Sequence, residues 1–217
     1  MRSHGNEAPP HGTRAAATDR LLAALAAQRL LPVLRSPDAA AATAAVGGLL
    51  DAGCQVVELT TSTPDWQRAL AACRERHGAA AGQPGPLLGV GTVTTAEQAT
   101  AAIGAGADFL VSPYPAPAVR EAAAGHGIPF IEGGFTPAEI ADAAGRGPAK
   151  VFPAHVGGPK FLSSLRAVLP HAALIPTGGI SVDEAGAYLE AGAVAVGVGS
   201  GLPQDPAQLA RLFGGGR

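Results

Sequence analysis

From Leu31 onward the chain alternates short runs of Val, Leu, Ile and Phe with longer Ala-rich stretches that have helical periodicity. The apolar runs are LPVLR (31–35), VVELT (56–60), LLGVGT (87–92), DFLVS (108–112), IPFIE (128–132), AKVFP (149–153), AALIPT (172–177) and AVAVGV (193–198). Their length and β-branched content predict buried strands. After them come helix-starting residues: Ser36-Pro37, Ser62-Thr63-Pro64, Thr94-Thr95, Thr136-Pro137 and Ser181. Glu97 stands where it could close a capping box with Thr94. Recurrence roughly every 20–30 residues predicts repeated βα units and a parallel sheet. Eight such units close most simply into a single (β/α)8 barrel, expected over residues 21–213. An open doubly wound sheet is the alternative, but no G-x-G-x-x-G follows the first run to support a dinucleotide fold.

Residues 1–20 lack the apolar segment of a secretory signal and read as a disordered leader; 214–217 read as a flexible tail. The composition is 47% hydrophobic, 15% charged and 4% aromatic, which predicts a core of Ala, Val, Leu and Ile. A net charge of -2 gives no electrostatic case for nucleic acid. The Ala-rich windows read as amphipathic helices and not as membrane spans. Cys54 and Cys73 match no metal-ligand spacing or disulfide framework, so two packed thiols and a cytoplasmic location are expected.

The barrel changes how the polar residues read, because functional groups gather at strand C-termini. Arg35, Glu58, Thr92, Ser112, Glu132, Lys150, Thr177 and Ser200 all fall there. Lys150 is one of two lysines among fifteen Lys and Arg residues, and it interrupts a buried run. Arginine stays protonated, whereas a desolvated lysine can lose its proton and attack a carbonyl. Strand alternation puts Lys150 and Phe152 on one face; if that face points inward, the amine is a candidate nucleophile. The bland alternative is a strand-end lysine paired with a carboxylate. Glu58, between Val57 and Leu59, is an expensive place for an unpaired carboxylate. It is the candidate proton shuttle, or else the partner of a structural ion pair with Arg35 or Lys150. Glu132 is a weaker candidate, since it could equally support a loop.

Two glycine-rich turns, Thr177-Gly178-Gly179-Ile180-Ser181 and Gly197-Val198-Gly199-Ser200-Gly201, follow the last two strands. In a barrel these adjacent loops commonly bind phosphate, using backbone amides, a following helix start and here the Ser200 hydroxyl. Tight turns alone would explain the same glycines. Gly157-Gly158 could extend the rim, with Lys160 a first-turn surface residue.

In order and spacing, LPVLR, VVELTTSTP, LGVGTVTTAEQ, GADFLVSP, the K-x-F-P around Lys150, LIPTGGIS and VGVGSGL resemble the class I 2-keto-3-deoxy-6-phosphogluconate (KDPG) and 4-hydroxy-2-oxoglutarate (KHG) aldolase family. The resemblance implies a metal-free and cofactor-free (β/α)8 barrel, usually a homotrimer, acting on a keto acid and a phosphorylated substrate. It implies Lys150 as the Schiff-base residue and Glu58 as the proton-transfer residue. Thr92, Pro113, Phe152 and Thr177 would line the pyruvyl pocket, Arg35 would help bind substrate anions, and Gly178, Gly179, Gly199 and Ser200 would hold phosphate. Three positions depart from the pattern. Ser62 replaces an arginine found four residues after the acid, Tyr114 follows Ser112-Pro113 where glycine is usual, and Glu132 stands where proline is common. Ser62 predicts altered substrate preference with the imine chemistry retained. His155, just past the sixth run, could contact substrate or only fill the loop, and the loop filler is the favoured reading. Two other classes remain open at this point: a phosphate-binding barrel isomerase or synthase, and a noncatalytic metabolite-binding barrel.

Overall fold

The computed structural model describes residues 11–78 and 85–214. Eight parallel strands form one sheet: β1 (Leu30–Leu34), β2 (Val56–Thr60), β3 (Leu87–Gly91), β4 (Phe109–Val111), β5 (Phe130–Gly134), β6 (Ala149–Val151), β7 (Leu174–Pro176) and β8 (Val196–Val198). From β1 to β7 each strand pairs with its sequence neighbour, and β8 pairs with β1. A bridge between Thr177 and Gly197, with Val194 N–H donating to Leu174 O at 3.0 Å, joins β7 to β8 and brings the sheet round into a (β/α)8 barrel. The helices between and after the strands are α2 (Ala39–Asp51), α3 (Trp66–His77), α4 (Ala96–Gly104), α5 (Pro117–Gly125), α6 (Pro137–Ala144), α7 (Ala154–Val168), α8 (Val182–Glu190) and α9 (Pro206–Phe213). Among the described residues no helix is long and apolar enough to cross a membrane.

Strand alternation divides the apolar residues into two layers. Leu31, Val56, Leu87, Phe109, Val111, Ile131, Ile175 and Ala195 fill the barrel interior. Their neighbours, such as Val57, Leu59, Leu88, Leu110 and Val151, pack outward against the helices. Interior glycines make room for bulk on adjacent strands: a Cβ on Gly89 would lie 2.2 Å from the Phe109 ring.

Three expectations are corrected here. Residues 11–20, expected to be leader, belong to a helix, α1 (His11–Gln28). Leu21 and Leu25 of α1 close the barrel interior at its N-terminal end. Gln28 then clamps the strands: its Nε2 donates to Leu30 O and Val56 O, and its Oε1 accepts from Gln55 N and Val56 N. Residues 1–10 and most of the expected tail lie outside the described residues. The cap of α4 is Thr95, not Thr94, because Gln98 Oε1 takes the Thr94 amide and hydroxyl. No helix starts directly after Gly199-Ser200, where α9 begins only at Pro206. By contrast, Thr136 and Ser181 cap α6 and α8 through complete capping boxes with Glu139 and Glu184. Cys54 and Cys73 are buried and unbridged, and burial pushes the Cys54 thiol up to about 12.

Candidate active site

The inward row of β2 is Val56, Glu58 and Thr60, and the inward row of β6 begins with Lys150 and continues to Phe152. Both rows end at the C-terminal mouth. Lys150 is 5% exposed and Glu58 is fully buried. Lys150 Nζ lies 3.7 Å from Glu58 Oε1 and 5.5 Å from the centre of the Phe152 ring. At 3.7 Å the attraction is coulombic and not a hydrogen bond. Among the described residues neither Glu58 oxygen has a hydrogen-bond partner. Burial raises the Glu58 carboxyl above its ordinary range, and the nearby lysine only partly offsets that desolvation. An unsatisfied buried carboxylate costs several times a lost neutral hydrogen bond.

Gly91 makes this placement sterically allowed: a Cβ there would sit 1.7 Å from Glu58 Oε1. Sequence reading overlooked Gly91, although the signal was present as two alternate glycines in LLGVG. Thr92, next in the chain, adopts left-handed backbone with φ 59°, and its carbonyl accepts from Thr61 Oγ1 at 2.8 Å. Pro113 packs its backbone against Gly133, where a Cβ would meet it at 2.4 Å. Thr177 is buried with its side chain against Gly197, where a Cβ would meet its Oγ1 at 2.2 Å. Phe152 packs on Gly178. The structure thus gathers Lys150, Glu58 and Phe152 at one end of the interior, with Thr177 following the inward row of β7.

The other predicted residues sit further out on the rim. Arg35 follows β1 and is exposed, continuing the inward alternation of Leu31 and Val33. Gly178 and Gly179 have φ of 97° and 70°, conformations that let the turn after β7 bend tightly. His155 lies over this turn, its ring against Gly179 and its Nδ1 3.2 Å from Gly178 O. Gly199 packs beside Val33 O, and Ser200 is exposed. Lys160 and Tyr114 are exposed.

Glu132 has a different role. Its carboxylate accepts from Arg120 Nε and Nη2 at 2.8 and 2.6 Å and from Ala116 N at 2.8 Å. Arg146 Nη2 lies 3.8 Å away. Glu132 therefore ties β5 to the start of α5 on the outer side of the sheet, while its neighbour Ile131 fills the interior.

A parallel barrel with an amine facing an unsatisfied carboxyl inside its mouth has the parts for imine chemistry on a carbonyl substrate, which is the work of a class I aldolase. Comparison with known proteins specifies the family. The model of the KDPG and KHG aldolase family matches residues 22–209. The chain is 32% identical to 2-dehydro-3-deoxy-6-phosphogalactonate aldolase of Escherichia coli, over 80% of this chain and 83% of that one. It is 35% identical to 2-dehydro-3-deoxy-phosphogluconate aldolase of Treponema pallidum, over 76% and 78%. Among solved structures, the KDPG aldolase of Legionella pneumophila, with pyruvate captured as a covalent carbinolamine, superposes with a TM-score of 0.77 at 28% identity, covering 88% of this chain and 95% of that one. The chain belongs to the KDPG and KHG aldolase family, and it is a class I aldolase.

Proposed function

We propose that this enzyme cleaves a 2-keto-3-deoxy-6-phospho sugar acid reversibly to pyruvate and glyceraldehyde 3-phosphate, with Lys150 as the imine-forming residue and Glu58 as its proton shuttle. The observation that carries this reading is the buried pair at 3.7 Å whose carboxyl has no hydrogen bond among the described residues. Passing one proton from the ammonium to Glu58 converts two buried charges into a neutral acid and a nucleophilic amine, and the raised carboxyl favours that transfer. Lys150 Nζ then attacks the C2 ketone. Glu58 protonates the departing carbinolamine oxygen, water leaves, and an iminium forms. Glu58, directly or through water, takes the C4 hydroxyl proton; the C3–C4 bond breaks, the aldehyde departs, and the pair of electrons from that bond stays with C3 and neutralises the iminium as an enamine. Protonation at C3 and addition of water release pyruvate and regenerate the amine.

The substrate assignment draws on the relatives' names, which are phosphogluconate and phosphogalactonate aldolases. Positive-φ glycines in the turn after β7, beside the exposed Ser200 turn, support a phosphate end at Gly178, Gly179, Gly199 and Ser200. Arg35, Thr92, Pro113, Phe152 and Thr177 complete the proposed substrate contacts. A homotrimer in the cytoplasm belongs to the same proposal and rests on the family resemblance.

The test is borohydride reduction in the presence of pyruvate. Peptide mass spectrometry is expected to place one pyruvyl increment on Lys150, and Lys150→Ala to abolish it. An increment confined to Lys160, or none under turnover conditions, would refute the assignment.

A further inference from the structure

The hydroxyl run after β2 permits a count of protons. Thr60 Oγ1 lies 3.0 Å from Leu34 O and 2.8 Å from Ser62 Oγ. A carbonyl only accepts, so the single hydroxyl proton of Thr60 is committed to Leu34. The proton in the Thr60–Ser62 contact must then come from Ser62. The Ser62 hydroxyl has no further proton to donate, and the residue is exposed, which leaves its lone pairs open to an incoming donor. Thr60 itself is 3% exposed and continues the inward row of Glu58, so Ser62 Oγ stands one hydrogen bond beyond that row at the barrel mouth. The turn is held on both sides: Thr61 Oγ1 donates to Thr92 O at 2.8 Å, and Ser36 N donates to Thr63 Oγ1 at 3.1 Å.

We infer that Ser62 is a specificity-determining acceptor, taking a hydrogen bond from a neutral hydroxyl on the aldehyde half of the substrate. This rests on the aldol reaction proposed above. An oxygen with lone pairs alone has nothing to donate to a carboxylate or phosphate, so Ser62 does not substitute for a cation. It selects the hydroxylated, uncharged stretch between the scissile bond and the phosphate. Because Thr60 and Leu34 fix the hydroxyl, little orientational freedom is lost when the substrate arrives. A serine that only stapled the turn would affect all aldehydes alike.

Addition of pyruvate to two acceptors separates these roles: glyceraldehyde 3-phosphate, and the same phosphorylated aldehyde without its 2-hydroxyl. Ser62→Ala is expected to lower the ratio of their kcat/KM values about 3- to 10-fold, the worth of one neutral hydrogen bond. The ratio cancels any general loss of competent enzyme. Inhibition by inorganic phosphate is expected to be equal in wild type and Ser62→Ala. An unchanged ratio, or weaker phosphate inhibition in the variant, overturns the acceptor role. Failure of the aldol reading itself is distinguished by the wild type: no borohydride-trapped pyruvate adduct refutes Lys150, whereas an adduct with an unchanged ratio refutes only Ser62.

Discussion

Glu58, the proposed proton shuttle, also bears on stability. Its carboxyl titrates above the ordinary range because burial outweighs the attraction of Lys150. The folded protein therefore keeps a proton that the unfolded chain releases. The stability Glu58 contributes is fully present below the ordinary carboxylate range and is lost as pH rises through the raised value. Glu58→Gln, neutral throughout, is expected to flatten this descent, so its Tm falls less than that of wild type from weakly acidic to neutral pH. Parallel Tm–pH curves would show that burial does not raise the carboxyl. The same variant is expected to slow pyruvate methyl-proton exchange by about 10²–10⁴-fold, the usual scale of general acid–base catalysis. Wild-type exchange in folded Glu58→Gln would move the proton-transfer role elsewhere. Gly91 offers an orthogonal test, since a Cβ at 1.7 Å from Oε1 must displace the carboxyl without removing it. Gly91→Ala is expected to cut exchange by at least about tenfold, given that a displacement of about 1 Å can cost a hundredfold. Unchanged exchange would mean that the position of Glu58 is not critical.

At the scale of elements, sequence legibility followed the strength of the periodic signal. Alternation put Lys150 and Phe152 on one face, and the barrel turned that face inward. Capping chemistry marked Thr136 and Ser181 because one local residue pair decides each helix start. It failed by one residue at Thr94, where the longer Gln98 side chain competes for the amide. The interior fit of Gly89 to Phe109 and Gly91 to Glu58 was not legible, because each depends on a neighbouring strand. Glu132 illustrates the same limit: its partner Arg120 is twelve residues away on α5, and only the fold brings them together. Glu132→Ala would leave the Arg120 guanidinium and the Ala116 amide without their acceptor. It is expected to cost about 2–3 kcal/mol of unfolding free energy, the range for hydrogen bonds to charged groups. Pyruvate exchange at low temperature is expected to persist, since Glu132 lies outside the barrel interior. Loss of exchange in folded Glu132→Ala would return it to the list of catalytic candidates.

The whole molecule is polarised between a chemical end and a structural end. The proposed chemistry sits where strands deliver Lys150, Glu58 and Thr177, while α1 closes the opposite end with Leu21 and Leu25. This closure was missed because HGTRAAATDR carries few apolar residues, and the anchoring leucines begin at the boundary first assigned to the barrel. Its stabilisation is tertiary: the helix is Ala-rich and gains its place by burying leucines and by the Gln28 clamp on β1 and β2. If α1 is an integral floor of the barrel, truncating a buried leucine should act like a core deletion. Leu25→Ala is expected to lose about 2–5 kcal/mol of unfolding free energy, measured by urea denaturation, because the interior cannot fully collapse around the void. Exchange per folded molecule should stay within about twofold of wild type, since residues at the distant mouth keep their positions. A loss below about 1 kcal/mol would make α1 a dispensable cover. A large loss with retained exchange would place the stabilising role at one end of the barrel and the chemistry at the other.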